Sequence, residues 1–229
     1  MIIVRLIGGL GNQLFQYAAA RKLANKHSTE LKLDVSGFET YKLHKYSLSH
    51  FNIQENFASE GEINALTGQR KEGTITRIFR RALHKPAKLP ATHIKEKNPF
   101  HFDPEILNLP DGVYLEGYWQ SEKYFADIEA VIRKEFTVKT PLTGKDKDLA
   151  EQMDSCDSVS IHIRRGDYVT NPHTSMVHGT SDLDYYNRCI RSIAESVKNP
   201  HFFVFSDDPE WVRDNLNPPY PTTFVDHNG

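Results

Sequence analysis

Residues 1–24 read MIIVRLIGGLGNQLFQYAAARKLA, and the fold turns on how this stretch is parsed. Ile2 to Ile7 is a short apolar run with the character of a buried strand. A glycine cluster follows, and Asn12 to Lys26 reads as a helix with Asn12 as its N-cap. Phe15, Ala19 and Leu23 recur at four-residue spacing, with Leu14 and Ala18 on the adjoining rows. Leu31 to Val35 (LKLDV) is a second strand, so the chain opens as a β-α-β unit of the kind that builds parallel sheets flanked by helices.

The glycines do not complete a dinucleotide fingerprint. In Gly9-Leu10-Gly11-Asn12-Gln13-Leu14 the third glycine of G-x-G-x-x-G is missing, although Asp34 lies near the distance expected of a ribose-binding acid. No Lys-Ser or Lys-Thr follows, so a P-loop fails as well. A helix N-terminus remains, whose dipole and N–H groups suit a phosphate or a sugar hydroxyl. A purely structural turn is the other reading.

Beyond this opening the pattern loosens. Residues 37–60 are rich in Tyr, His, Ser and Asn and take no firm assignment. Residues 68–88 carry Arg70, Lys71, Arg77, Arg80, Arg81, Lys85 and Lys88 around Ile78, Phe79, Ala82 and Leu83. They read as a solvated basic helix face, or as a surface that meets anionic lipid or acceptor glycan. Glu116 to Phe136 is a turn running into a helix with Phe125, Ile128 and Ile132 inward. The polar stretch TVKTPLTGKDKD (137–148) is a linker, which sets two domains, 1–145 and 146–229.

A second β/α series follows. Val159, Ile161 and Ile163 alternate with Ser160, His162 and Arg164, a strand with two distinct faces. Asp182 to Val197 is a helix, Phe202 to Phe205 a buried strand, Asp208 to Trp211 a helix start, and Thr222 to Asp226 a last strand. His162 and Arg164 share a face, and Arg165, Gly166 and Asp167 fall at the strand's C-terminal end, where open α/β sheets bind ligands. Adjacent arginines can grip a diphosphate through charge-assisted bonds, or Arg165 and Asp167 can form a structural ion pair. Ser206, Asp207 and Asp208 sit where strand turns into helix, suited to capping or to accepting from the donor pair on guanine's edge. Asp182-Leu183-Asp184 formally matches a metal-holding Asp-x-Asp, but its place at a helix start favours capping.

The bulk numbers exclude several classes. A net charge of −2 over 229 residues gives no reason to expect nucleic acid. Cys156 and Cys189 lack metal-ligand spacing and suggest a reducing compartment. No run approaches the ~20 apolar residues of a membrane span, and Arg5 breaks the opening run too early for a signal peptide. A cytoplasmic location is expected, with residues 68–88 as the segment that would touch the inner membrane surface.

GGLGNQLFQYA, HIRRGDYV and FFVFSDDPEWV, in this order, resemble the α-1,2-fucosyltransferases of glycosyltransferase family 11, and EGYWQSEKYF and FDPEIL resemble its middle segment. The resemblance implies an α/β, GT-B-like fold of two Rossmann-like halves facing across a cleft, with GDP-fucose on the C-terminal half and the acceptor on the N-terminal half. It implies inverting transfer of fucose to the 2-hydroxyl of a terminal galactose, without a metal or other cofactor. Arg164 would hold the β-phosphate, and His162 and Asp208 the guanosine. Asn12 and Gln13 would lie near the reacting sugar, beside Gly9 and Gly11. Arg165, Tyr168, Ser206 and Asp207 complete the expected substrate-binding set, and Asp167 is the candidate base or a positioner of the arginines. The sequence stops at Gly229, ahead of a closing Asn-Ser-x-Phe-Ser-Trp-Trp-like stretch of the family, so the second half is expected to be incomplete. A non-catalytic GDP-sugar- or carbohydrate-binding protein is the alternative.

Overall fold

The computed structural model describes residues 1–40, 43–68, 90–166, 169, 176, 179 and 181–227. The chain divides into two compact units, Met1–Pro141 and Leu142–Gly229. The division falls a few residues before the boundary read from the linker, because the polar stretch there already starts a helix.

In the first unit β1 (Ile2–Arg5), β2 (Leu31–Asp34), β3 (His93–Lys95) and β4 (Val113–Glu116) form one parallel sheet in the order β2-β1-β4-β3. Parallel strands covered on both faces need continuous apolar runs. Ile2, Ile3 and Val4 of central β1 are accordingly buried, as are Val113, Tyr114 and Leu115 of β4. The helix α1 (Leu10–His27) follows β1. Its Ala18, Ala19, Ala20, Leu23 and Ala24 are all buried, and Ala18 packs with Ile128 and Ile132. The helix is thus enclosed on more than the single stripe that its periodicity indicated. The short α2 (Glu60–Thr67) is closed by a capping box between Ser59 and Glu62. The 116–136 stretch is not one helix after a turn: β4 ends at Glu116, two 3-10 turns follow, and only then comes α3 (Glu129–Glu135).

The second unit opens with the exposed helix α4 (Gly144–Asp154), inside the stretch read as linker. Then β5 (Asp157–Ile163), α5 (Leu183–Ser196), β6 (Pro200–Ser206), α6 (Pro209–Asn215) and β7 (Thr222–Val225) build a parallel sheet in the order β5-β6-β7. The apolar run Phe202-Phe203-Val204 makes β6 the buried middle strand, while the alternation in β5 fits an edge. No helix among the described residues is long and apolar enough to cross a membrane.

Candidate functional site

Each unit gathers its candidate residues at the carboxyl ends of its strands, and the two assemblies are built differently. In the first unit the helix starts one turn earlier than expected. Gly9, in extended conformation, is the N-cap and offers no side chain, so Asn12 lies inside the first turn instead of capping it. Gly8 carries a positive φ of 76°, and a Cβ there would stand 2.4 Å from the Asn12 amide. Gly11 is exposed, with open space beside it.

Gln13 and Gln16 are both fully buried. Gln13 Nε2 donates to the carbonyls of Gly8 and Lys45, each at 2.9 Å, while its Oε1 accepts from Ser47 N–H at 2.9 Å. Gln16 accepts from Ile7 N–H and donates to Ile7 carbonyl, as a neighbouring strand would. These amides supply the partners that a bent, buried backbone lacks. Gln13 is therefore a brace of the loop, its amide taken up by backbone groups. Asn12 is half-buried, and its Oδ1 accepts from Gln120 Nε2 at 2.6 Å.

Gln120 belongs to the Glu116–Gln120 segment (EGYWQ) that leaves β4. Glu116 pairs with Arg5 at 2.9 Å, His93 at 2.7 Å and Lys95 at 3.2 Å. Burial pushes its carboxyl up, but the bonds from His93 and Lys95 prevail and hold it below the ordinary carboxylate range. Buried Asp34 accepts from Tyr114 hydroxyl at 2.6 Å and from Ser36. Desolvation, then the bond to Asp34, raises the Tyr114 phenol, so it stays a donor. A cavity of about 340 Å³ opens at the ends of β1 and β4, lined among others by Arg5, Gly8, Phe38, Thr40 and Tyr118. It lies where the order of the sheet reverses, the usual ligand crevice of open parallel sheets. Arg5, Glu116, Tyr118 and Gln120 were missed in the sequence as site residues; the only signal was the unassigned EGYWQ motif.

In the second unit the register pairs Ile163 with Ser206. Ser206 Oγ donates to Ile163 carbonyl at 2.7 Å and accepts from Asp208 N–H at 3.0 Å. Asp207 Oδ1 accepts from Arg165 N–H at 2.7 Å, and a Cβ on Gly166 would stand 2.8 Å from its other oxygen. Asp208 caps α6 through Trp211 N–H and pairs with Arg165 Nε at 3.3 Å. The Arg165 guanidinium also lies 3.5 Å over the Trp211 ring. Arg165 and Asp208 thus pair with each other, while Asp167, the other partner read for Arg165, lies outside the described residues. Asp208 as a guanosine ligand would have to share a carboxylate already engaged twice. Arg164 is exposed just past β5. His162, also exposed, lines a separate cavity of about 340 Å³ against α5 with Ser160, Tyr185, Tyr186 and Cys189.

Asp182 accepts from Tyr185 N–H at 2.7 Å as the N-cap of α5, so the Asp-x-Asp pattern is a helix start. Among the described residues no group of three or more His, Cys, Asp or Glu converges as a metal site would need. Asp167, Tyr168 and residues 69–88 lie outside the described residues.

Comparison with known proteins carries the assignment further. The chain is 34% identical over 220 residues to the "Alpha-1,2-colitosyltransferase" of Escherichia coli, covering 95% of this chain and 72% of that protein. It is 31% identical to the "O-antigen biosynthesis glycosyltransferase WbnK" of Escherichia coli, over 92% of this chain and 74% of that protein. A "Galactoside 2-alpha-L-fucosyltransferase" of Caenorhabditis elegans is 30% identical over 43% of this chain and 27% of that protein. The crystal structure of NodZ alpha-1,6-fucosyltransferase soaked with GDP-fucose superimposes with a TM-score of 0.50 at 13% identity, covering 99% of this chain and 78% of that one. The fold is therefore α/β and GT-B-like, with two Rossmann-like halves. Residues 1–223 match Glycosyl transferase family 11, and the chain belongs to that family of glycosyltransferases.

Proposed function

We propose that this enzyme transfers L-fucose, or a closely related deoxyhexose, from its GDP-activated form to the 2-hydroxyl of a terminal galactose, with inversion. The observation that carries this reading is the end of β5 and β6. There Ser206, Asp207 and Asp208 lock the backbone and side chain of Arg165, so that the neighbouring Arg164 is exposed on a rigid support.

In the step proposed, the acceptor oxygen bonds to the anomeric carbon as that carbon's bond to the β-phosphate breaks. GDP leaves with the electron pair, and the acceptor proton passes to a base, for which Asp167 is the candidate. Charge develops on the diphosphate, and a fixed guanidinium stabilises it most where water is scarce. Arg164 takes that role, in place of the metal ion that other sugar-nucleotide enzymes use. Within the first unit, Asn12, fixed by Gln120 at the N-terminal turn of α1, is suited to a sugar hydroxyl. The cavity lined by Arg5, Thr40 and Tyr118 receives the terminal galactose, since these side chains carry donors and acceptors suited to a diol.

Incubation with GDP-fucose and galactosides, with NMR assignment of the product linkage, tests the reaction. Arg164→Ala should lower turnover by roughly 10²–10³-fold with the melting curve unchanged, and activity should persist in EDTA. Wild-type turnover in Arg164→Ala ends the assignment. GDP binding without transfer favours a non-catalytic binding protein. The likeness to a colitosyltransferase supports a second donor, GDP-colitose, which lacks the 3-hydroxyl of fucose. The ratio of kcat/KM for the two donors decides between them.

A further inference from the structure

The first unit holds a second cavity, at the carboxyl ends of β3 and β4, which the reaction as proposed leaves unused. It measures about 340 Å³, at the lower end of the ~300–1,000 Å³ of small-molecule sites. Half-buried Phe102 and the buried Trp119 form its apolar side, and its rim is polar and charged, with Glu96, Lys97, Asn98, His101 and Asp103. The walls are held in place. Tyr124 hydroxyl accepts from Asp103 N–H at 2.8 Å, and the Phe102 and Tyr124 rings lie 4.9 Å apart. Glu96 accepts from the N–H groups of Tyr118 and Trp119 at 2.7 and 3.1 Å. Gly117 allows that approach, since a Cβ there would lie 2.4 Å from Glu96 Cβ.

Two backbone outliers mark the same place. Among the described residues other than glycine, positive φ occurs at Ser28, Phe100 and Trp119. Ser28 is the left-handed cap of α1 and needs no further account. Phe100 (φ 67°) and Trp119 (φ 54°) are bulky aromatic residues, for which this region costs about 1–3 kcal/mol each. Phe100 is also 72% exposed, so no packing in the unit repays its strain.

The geometry points to this cavity as a subsite for a pyranose of the acceptor glycan, one or two residues removed from the reacting galactose; it rests on the reading that the acceptor is a glycan. An aromatic side with a rim of amide, imidazole, ammonium and carboxylate groups matches a sugar's C–H face and hydroxyl edge. Phosphate is disfavoured because Glu96 and Asp103 outnumber Lys97 at the rim, and a wholly apolar ligand by the desolvation of that rim. Position argues the same way. Tyr118 lines the cavity beside Gly8, and its neighbour Trp119 lines this one. β3 stands two strands from β1, ~10 Å at ordinary strand spacing, about the reach of a disaccharide. A glycan crossing the 118–119 turn would fill both.

The test compares a methyl galactoside with a galactose-terminated tetrasaccharide in wild type, His101→Ala and Asn98→Ala, two residues of the rim. The subsite predicts that KM for the tetrasaccharide rises about tenfold, the loss of one packed contact, with kcat and the monosaccharide KM unchanged. No change, or an equal change for both acceptors, overturns it. Should no sugar be transferred to any acceptor, the proposed function fails, and saturation-transfer NMR without donor decides the subsite separately. Tetrasaccharide signals in wild type that fade in His101→Ala support it, and their absence from wild type overturns it.

Discussion

Gln13 and Asn12 are adjacent in one motif and do unlike work. Gln13 spends its amide on Gly8, Lys45 and Ser47, so Gln13→Ala would leave three backbone groups without that partner. A loss of about 2–4 kcal/mol is expected, read as a lower urea midpoint. Asn12→Ala should cost below about 1 kcal/mol and act on turnover instead. Equal stability losses in the two variants would contradict this division of labour. The Arg165 guanidinium is likewise taken up, by Asp208 and Trp211. The motif's residue types were legible in the sequence, whereas their split between support and exposure was not. That split depends on partners such as Gln120, 108 positions from Asn12.

At the scale of elements, α2 shows local chemistry settling local structure. Ser59 and Glu62 cap each other, and Lys32 reaches Glu62 at 2.6 Å. The Lys32 bond, followed by those from Ser59, lowers the Glu62 carboxyl from 4.5 to about 2. A depressed carboxyl contributes stability that is complete above its ordinary value and is lost as pH falls towards the folded one. The cap of α2 should therefore hold above pH 4.5 and fail between 4.5 and about 2. A ¹³C-carboxyl titration checks this, with a midpoint near 2 in wild type. Ser59→Ala should raise the midpoint and cost about 1 kcal/mol; a midpoint near 4.5 in wild type would contradict the account. The Ser-x-x-Glu signal stood in the sequence, within residues that took no firm assignment. β3 and β4 gave less, being three and four residues long, too short for a period to register.

At the scale of the molecule, each unit has its own core. Ile2, Val4, Leu23, Leu33 and Leu115 belong to one, and Ile161, Ile190, Phe202 and Val204 to the other. Phe202→Ala should cost about 3–5 kcal/mol and speed amide exchange in β5, β6 and β7. Exchange in β1, β2 and β4 should stay as slow as in wild type. Acceleration throughout the chain would mean that the units do not open separately.

The sequence by itself determined the strand–turn–helix opening, the parallel α/β class, the burial of the strand at Phe202 to Phe205 and the two-faced character of β5. These follow from burial patterns carried by neighbouring residues. The motifs also gave the family. Tertiary structure alone decided which motif side chains are taken up in support, and that EGYWQ is the crest where β4 meets the N-terminal loop. Bonds such as Arg5–Glu116, Asn12–Gln120 and Arg165–Asp208 decided it. Each joins positions far apart in the chain, and periodicity is a local signal that cannot report which distant polar group will satisfy a buried one.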